Sequence, residues 1–92
     1  MDYAIEYGEK AIEDLDALDR PIARRIIRII RQKLTTSPLE YGTRFKYYQD
    51  LYKLRIGDYR VIYKVDTERQ KVFILVIGNR NKIYEILRKR LG

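Results

Sequence analysis

Apolar and charged residues alternate along two neighbouring segments in the middle of the chain, Leu51–Ile56 and Tyr59–Val65. Alternation with a period of two is typical of β-strands that bury one face. Gly57 and Asp58, which separate the segments, fit a two-residue hairpin turn of type II′ with glycine first. The pattern therefore predicts an antiparallel hairpin with one apolar face and one charged face.

This hairpin sets like charges against each other on its charged face. Its register pairs Arg55 with Arg60 and places Lys53 opposite Ile62. Two like charges directly across a strand pair cost about 0.2–1 kcal/mol relative to a neutral pair. An anion bound between the two arginines would turn this repulsion into attraction. The alternative interpretation is an ordinary solvated surface, since 36% of the residues are charged.

A third strand is predicted after the hairpin. Lys71–Ile77 is an almost unbroken apolar run, as expected of a central strand that is buried on both faces. The short polar loop Asp66–Gln70 returns it antiparallel to the strand before it. We therefore expect Arg80 to arrive at the end of the sheet where the two opposed arginines lie, with Tyr84 in or just before the first turn of a closing helix.

Helical periodicity marks three further segments. Apolar residues recur at helical spacing along Glu9–Leu18, Pro21–Leu34 and Lys82–Leu91. Asp19 suits the N-cap of the second helix, and Pro38 ends that helix. The elements together predict a single α+β domain over residues 1–92. In it, two N-terminal helices pack on one face of a mainly antiparallel sheet of four or five strands, and a short helix closes the chain.

Composition narrows the chemistry that this chain has available. It has 20 Lys and Arg against 13 Asp and Glu, a net charge of +7, and neither histidine nor cysteine. Any catalysis must then depend on cations and a phenol, which suit an anionic substrate such as an RNA phosphodiester. The candidate catalytic residues are Lys53, Arg55, Arg60, Arg80 and Tyr84.

The same counts argue against several other classes of protein. With no histidine, no thiolate and no acidic cluster beside the cations, we expect neither a metal nor a cofactor. No apolar run approaches the ~20 residues of a membrane span, and the first residues lack the basic and apolar regions of a signal peptide. We therefore expect a cytoplasmic protein without disulfides or membrane contact.

Two long strings of this sequence carry a resemblance to a known family; they are LYKLRIGDYRVIYKVD at 51–66 and VFILVIGNRNKIYEILRKRL at 72–91. The start of the chain agrees, with YAIEY as a first strand followed by two helices. The family is the RelE/ParE toxin superfamily, and the chain is more similar to its RelE-type mRNA endonucleases. The resemblance covers essentially all of the chain. It implies a RelE-like (microbial-RNase-like) fold and a toxin of a type II toxin–antitoxin system that cuts translated mRNA in the ribosomal A site.

The resemblance also implies roles for single residues. Lys53 and Arg60 match positions that hold the scissile phosphate. Arg80 matches an arginine that protonates or stabilises the leaving 5′ oxygen, and Tyr84 matches a tyrosine that stacks on the nucleotide. Further RNA contacts are expected from Arg44, Lys46, Lys64, Asn79 and Lys82.

Two positions depart from the family pattern. Arg55 stands where the best-known relatives carry a lysine proposed as general base, and a guanidinium, which stays protonated at neutral pH, is a poor proton acceptor. Either Lys53 serves as the base, or catalysis depends on electrostatic stabilisation and distortion of the strand. Asn79 stands where many relatives have histidine, and an amide does no acid–base chemistry at neutral pH.

The partners implied by the resemblance are the ribosome, its mRNA and a cognate RelB-like antitoxin that offers an extended or helical acidic segment. Such an antitoxin displaces the C-terminal helix or covers the site beside it. Two other functions stay open. One is inhibition of DNA gyrase by a ParE-type toxin, although those toxins generally lack the combined cations seen here. The other is RNA binding without cleavage, favoured by the two departures.

The two N-terminal helices carry charged faces of opposite sign. Acidic residues interpreted as solvated surface concentrate in and after the first helix, at Glu9, Glu13, Asp14, Asp16 and Asp19. An arginine face on the second helix is formed by Arg24, Arg25, Arg28 and Arg31. That face either contacts ribosomal RNA or is a solvated surface paired with the acidic helix.

Overall fold

A five-stranded sheet and four helices form the described part of the chain, residues 2–48 and 50–92, in this computed structural model. The elements in chain order are β1 (Ala4–Tyr7), α1 (Glu9–Asp16), α2 (Arg20–Leu34), α3 (Pro38–Tyr41), β2 (Thr43–Arg44), β3 (Leu51–Ile56), β4 (Tyr59–Asp66), β5 (Lys71–Asn79) and α4 (Ile83–Leu91). The α+β class predicted from the sequence is confirmed. No helix in the described ranges is long and apolar enough to cross a membrane.

The strands lie in the order β1-β5-β4-β3-β2. The pairs β2–β3, β3–β4 and β4–β5 are antiparallel, whereas β1 runs parallel to β5, with Ala4 beside Lys71. A parallel pair needs a long crossover connection, and here helices and the other strands lie between its two members. The sheet is therefore mixed, and the predicted mainly antiparallel arrangement holds for the strands that carry the cations.

The β3–β4 hairpin has the predicted register. Arg55 pairs with Arg60 and Lys53 with Ile62. Gly57 has a φ of +57°, whereas Asp58 does not have a positive φ. This is the combination expected when glycine takes the first central position of a type II′ turn, because a side chain there would be strained.

The two faces of the sheet bury separate apolar clusters. The larger cluster holds α1 and α2 against the sheet, and its fully buried members include Ala11, Ile26, Ile30, Leu34, Val61, Tyr63, Val72 and Ile74. The smaller cluster holds α4 against the opposite face, through Leu51, Ile62, Val76, Ile83 and Leu87. The two N-terminal helices thus share one face, as predicted. The charged face of the hairpin is the one that α4 partly covers.

Helix ends differ from the prediction by one or two residues. The first helix ends at Asp16, and the second begins at Arg20 with Asp19 as N-cap but without a side-chain capping hydrogen bond. The short α3 was not predicted, because proline at its start was interpreted only as the end of α2. The carbonyl of Ser37 accepts hydrogen bonds from the backbone N–H groups of Glu40 and Tyr41, which closes this single turn.

Two predictions about the charged helices are wrong. Asp14 is not solvated surface: its side chain is 13% exposed and pairs with Arg90 at 2.6 Å, because α1 lies beside the C-terminal turn of α4 across β5. The arginine face of α2 does not pair with the acidic helix, since no ion pair joins α1 to α2 among the described residues. The acidic groups face α4 and solvent instead.

Candidate functional site

Three of the predicted cations form a strip on the α4 side of the hairpin. Lys53 and Arg55 are two positions apart on β3, about 7 Å along the strand, and Arg60 lies directly across from Arg55. Lys53 and Arg60 are half-buried, and Arg55 is exposed. The alternation of the two strands produces this strip, since every second residue must face away from the larger core.

Lys53 makes direct contact with Tyr84. Its Nζ donates a hydrogen bond to the phenol Oη at 2.6 Å, and it lies 5.2 Å from the centre of the Tyr84 ring and 5.5 Å from that of Phe45. The two rings meet edge to face at 6.0 Å. Burial of the neighbouring Ile83 fixes the first turn of α4 and leaves Tyr84 facing the strip. Aromatic faces stabilise an ammonium by about 0.5–2 kcal/mol, so this contact orders the lysine.

The turn at the end of the hairpin gathers the remaining cations. Arg60 donates from Nη1 to the carbonyls of Gly57 and Tyr59, both at 2.9 Å. The backbone N–H of Arg80 donates to the carbonyl of Asp58 at 2.8 Å, which fixes where the chain leaves β5. The Nε of Arg80 lies 3.9 Å from the Asp58 carboxylate. Both of these side chains are more than half exposed, so this ion pair contributes only about 0–1 kcal/mol.

The five candidate catalytic residues thus fall into two groups on one side of the sheet. Lys53 and Tyr84 form one group. In the other group, Arg60 and Arg80 are each held to the hairpin turn, and Arg55 lies opposite Arg60. Lysine and arginine donate hydrogen bonds and accept none. Lys53 has two N–H bonds left beyond the one to Tyr84, so the strip presents an array of donors. A phosphodiester, with two non-bridging oxygens and one negative charge, matches such an array.

The five residues predicted to make further RNA contacts are more widely spread. Lys46 lies over the ring of Tyr47 at 5.7 Å, Arg44 pairs with Tyr52 at the sheet edge, and Lys82 is the exposed N-cap of α4. Lys64 is four residues from Arg60, about 13 Å along β4, at the opposite end of the sheet. Lys64 is therefore separated from the strip along the sheet.

Asn79 has a structural role in the loop that follows β5. Its Oδ1 accepts a hydrogen bond from the backbone N–H of Asn81 at 2.8 Å, and its carbonyl accepts one from Lys82 at 3.0 Å. The amide therefore shapes the turn that carries Arg80 and leads into α4. Asn79 thus has a structural role at a position where many relatives carry histidine.

Three residues that matter to the site were not predicted. Phe45 supports both Lys53 and Tyr84, but it lies in a segment without periodicity, so no pattern marked it. Asp58 was interpreted only as a turn residue, yet it holds Arg80 through its backbone and side chain. Arg25 was placed on the α2 face, but its guanidinium lies 3.6 Å from the point where a Cβ on Gly57 would stand. Within the described residues, no group of three Asp or Glu side chains is arranged to hold a metal ion.

The known proteins that this chain resembles are toxins of related families. A family model described as the ParE toxin of type II toxin–antitoxin systems, parDE, matches residues 5–84. Toxin RelG of Mycobacterium tuberculosis is 29% identical over 87 residues, which cover 91% of this chain and 98% of that protein. Toxin RelE of the same organism is 28% identical over 85 residues, covering 91% and 88% of the two chains.

Solved structures share the fold. The toxin–antitoxin complex RelBE2 of Mycobacterium tuberculosis has a chain that matches with a TM-score of 0.82 at 26% identity, covering 87% of this chain and 100% of that one. A mutant of the E. coli toxin RelE in the free state matches with a TM-score of 0.77 over the whole of both chains. Its identity of 22% supports the fold alone. The predicted RelE-like fold is therefore confirmed. Because the family model spans most of the sequence, the chain belongs to the ParE toxin family within the RelE/ParE superfamily, and it is a toxin of a type II toxin–antitoxin system.

Proposed function

We propose that this toxin is an endoribonuclease that cuts mRNA in the ribosomal A site and thereby stops translation. The observation that supports this most directly is the contact of Lys53 with Tyr84 beside the opposed Arg55 and Arg60. Like charges held across a strand pair destabilise a fold, so their placement beside a phenol favours a role in binding an anion. The resemblance of the chain to toxins named RelE and RelG supports the same function.

The reaction needs one bond to form and one to break. The ribose 2′ oxygen attacks the adjacent phosphorus in line, and the bond from phosphorus to the 5′ oxygen breaks. The products are a 2′,3′-cyclic phosphate and a free 5′-OH, so the 2′-OH loses a proton and the 5′ oxygen gains one. Arg55 and Arg60 hold the non-bridging oxygens and stabilise the charge that accumulates on them in the transition state.

Lys53 or Tyr84 accepts the proton of the 2′-OH. A guanidinium such as that of Arg55 does not accept a proton at neutral pH, whereas the amine and the phenol are hydrogen-bonded to each other at 2.6 Å. The acceptor must be deprotonated beforehand, as the neutral amine of Lys53 or the phenolate of Tyr84, and the other group, still protonated, donates the hydrogen bond that stabilises it. Arg80, held at the turn by Asp58, stabilises the leaving 5′ oxygen, which takes its proton from water.

The proposed partners are the ribosome, its mRNA and a RelB-like antitoxin. The matching structures of Mycobacterium tuberculosis and Pyrococcus horikoshii are complexes of RelE-type toxins with their antitoxins. An acidic segment of the antitoxin would bind the cationic strip by charge complementarity and exclude RNA from it. A cytoplasmic location follows from the ribosomal target.

The proposal is tested in a translating cell-free system in which new 5′ ends of the mRNA are mapped by primer extension. The parent toxin should produce ends at A-site codons, and these should be absent when ribosomes are omitted. Arg60→Glu should lower cleavage by about 10²–10³, the usual effect of removing one stabilising donor. Arg69→Glu is the matched control, because it makes the same charge change on an exposed side chain in the β4–β5 turn at the other end of the sheet.

A variant at Tyr84 separates stacking from proton transfer. Tyr84→Phe keeps the ring but removes the hydroxyl that Lys53 contacts. The variant should therefore still bind RNA but cleave it more slowly than the parent. If Tyr84→Phe cuts as fast as the parent, the proton assignment is wrong. If Arg60→Glu and Arg69→Glu behave alike, the site itself is wrong.

Inhibition of DNA gyrase is the second candidate, because the matching family model carries the ParE description. A supercoiling assay with purified gyrase distinguishes the two functions. Intact mRNA together with inhibited supercoiling would replace the endonuclease proposal.

A further inference from the structure

Tyr47 is the most solvent-exposed large hydrophobic side chain among the described residues, with 84% of its surface exposed. It gains nothing from packing in the core. The Nζ of Lys46 lies 5.7 Å from the centre of the Tyr47 ring. An aromatic ring left in solvent beside a cation is the combination that proteins use to stack unpaired bases while contacting the phosphate backbone.

The residues on either side of Tyr47 are held beside the strip of cations. The backbone N–H of Phe45 donates to the carbonyl of Leu51 at 2.9 Å, and the N–H of Leu51 donates to the carbonyl of Tyr48 at 3.1 Å. The rings of Phe45 and Tyr48 pack on the α4 side of the sheet. These contacts hold Phe45 and Tyr48 on either side of Tyr47, whose own side chain stays in solvent.

Tyr47 lies a short distance along the chain from a residue that contacts the Lys53–Tyr84 pair. Phe45 is two residues before Tyr47, which spans at most about 7 Å of backbone. The ring of Phe45 in turn meets that of Tyr84 at 6.0 Å and lies under Lys53. A strand of RNA bound at the Lys53–Tyr84 pair would therefore pass Tyr47 within one or two nucleotides of the reacting phosphate.

We propose that Tyr47 and Lys46 form a stacking site for one unpaired base of single-stranded RNA, next to the position of cleavage. The tyrosine ring stacks on the base, and the ammonium of Lys46 neutralises the adjoining phosphate. Tyr47 thereby contributes to which sequences are cut. The identity of the ligand as RNA rests on the proposed function, whereas the stacking itself is measured separately below.

Fluorescence tests the stacking directly, because the chain contains no tryptophan. Tyr47→Trp introduces a single indole at this position, and a 2′-O-methyl hexaribonucleotide serves as a probe that cannot be cleaved by 2′-OH attack. We expect saturable quenching of the indole as the probe is added. Tyr41→Trp is the matched control, since Tyr41 is also exposed and also has a lysine, Lys33, 5.1 Å from its ring centre. Absent quenching, or equal quenching in both variants, overturns the proposal.

Cleavage mapping tests the contribution to sequence preference. Tyr47→Ala should lower cleavage by about 5- to 100-fold, the range found for loss of one stacked base, and it should flatten the base preference next to the cut. Tyr47→Phe should behave as the parent, because it keeps the ring. Tyr41→Ala should have no effect. A Tyr47→Phe variant as defective as Tyr47→Ala would overturn stacking in favour of a hydroxyl contact.

The two measurements also separate the two proposals. Quenching of Tyr47→Trp by RNA without any cleavage in the translating system would leave the stacking site standing and overturn the endonuclease function. Cleavage by the parent together with an unchanged Tyr47→Ala variant would do the reverse.

Discussion

Tyr63 is fully buried in the larger cluster and still has its hydroxyl bonded. The Oη donates to the carbonyl of Pro38 at 2.6 Å, which ties β4 to the short helix α3. Gly42, just after that helix, passes so close that a Cβ built on it would collide with the Tyr63 hydroxyl and lie 2.8 Å from its Cζ. Because the φ of Gly42 is −87°, the demand for glycine here is steric and has nothing to do with the backbone angle.

Gly42→Ala should lower the free energy of unfolding by about 1–3 kcal/mol, as expected when a methyl group is forced into a packed interior. Urea denaturation followed by circular dichroism measures the change. Tyr63→Phe provides the comparison, since removing the hydroxyl removes the atom with which the new methyl collides. Gly42→Ala should therefore cost less in the Tyr63→Phe background than in the parent, and equal costs would contradict the steric explanation.

The same tyrosine makes stability depend on alkaline pH. Burial raises the pKa of Tyr63 above its ordinary value of about 10, and the nearby Tyr52 raises it further, although a backbone hydrogen bond from Gly42 lowers it in part. The unfolded chain ionises first, so the stabilisation is complete below pH 10 and is lost as the pH rises above it. Between pH 10 and 11 this loss amounts to about 1 kcal/mol. Tyr63→Phe should show a shallower fall in the urea midpoint over that interval, and parallel curves would refute the assignment.

Local rules explain which residues of the site were predictable. The opposition of Arg55 and Arg60 follows from a two-residue turn and a period of two, which depend only on neighbouring residues. The contact of Phe45 with Tyr84 joins residues far apart in sequence, and neither lies in a pattern that announces the other. The ion pair of Asp14 with Arg90 was missed for the same reason, since a carboxylate on a helix is most often solvated.

At the scale of elements, α4 is held at both ends. Tyr84 at its start contacts Lys53, and Arg90 at its end makes two hydrogen bonds to the Asp14 carboxylate, at 2.6 and 2.8 Å, and one to the carbonyl of Leu75. Asp14 also accepts from the backbone N–H of Ile77 at 2.9 Å. The hydrogen bond to Asp14 raises the pKa of Arg90, so the guanidinium stays ionised. The helix is thereby fixed against both α1 and β5.

Asp14→Asn should loosen α4 before it unfolds the rest of the protein. The side chain of Arg90 is only 23% exposed, and the substitution leaves it without its counterion. This should lower the free energy of unfolding by about 2–3 kcal/mol, which is less than the ~3–5 kcal/mol expected for a fully buried pair. Hydrogen exchange should show the amides of α4 exchanging faster by about 30- to 150-fold than in the parent, with those of β4 remaining the slower to exchange.

Lys89→Gln is the control for that experiment. It breaks a pair with Glu85 on the same helix, but the two atoms are 3.8 Å apart and both side chains are mostly exposed. Such pairs contribute little, so exchange in α4 should stay as in the parent. If Asp14→Asn also leaves exchange unchanged, the ion pair does not hold the helix. Because α4 carries Tyr84, loosening this helix should also slow the proposed cleavage of RNA.

At the scale of the whole molecule, the larger core and the proposed site lie on opposite faces of the sheet. The face under α1 and α2 carries the larger core, and the opposite face carries the smaller core together with the cationic strip. Amphipathic patterns predict that each element has an apolar side, but they do not say which elements share a face. The parallel pairing of β1 with β5 and the docking of α4 are set by contacts between distant segments, so they became known only from the structure.

The pairing of β1 with β5 has a consequence for the order in which the molecule is assembled during synthesis. Chains emerge from the ribosome N-terminus first, yet Glu6 meets its partner Lys71 across 65 residues and Asp14 meets Arg90 across 76. The first strand must therefore wait, unpaired, until most of the chain has been made, and contacts of such long range slow folding. Arg80 and Tyr84 also arrive late. A nascent chain thus carries the hairpin cations before Arg80 and Tyr84 have joined them, so the proposed site is complete only when nearly all of these residues have been made.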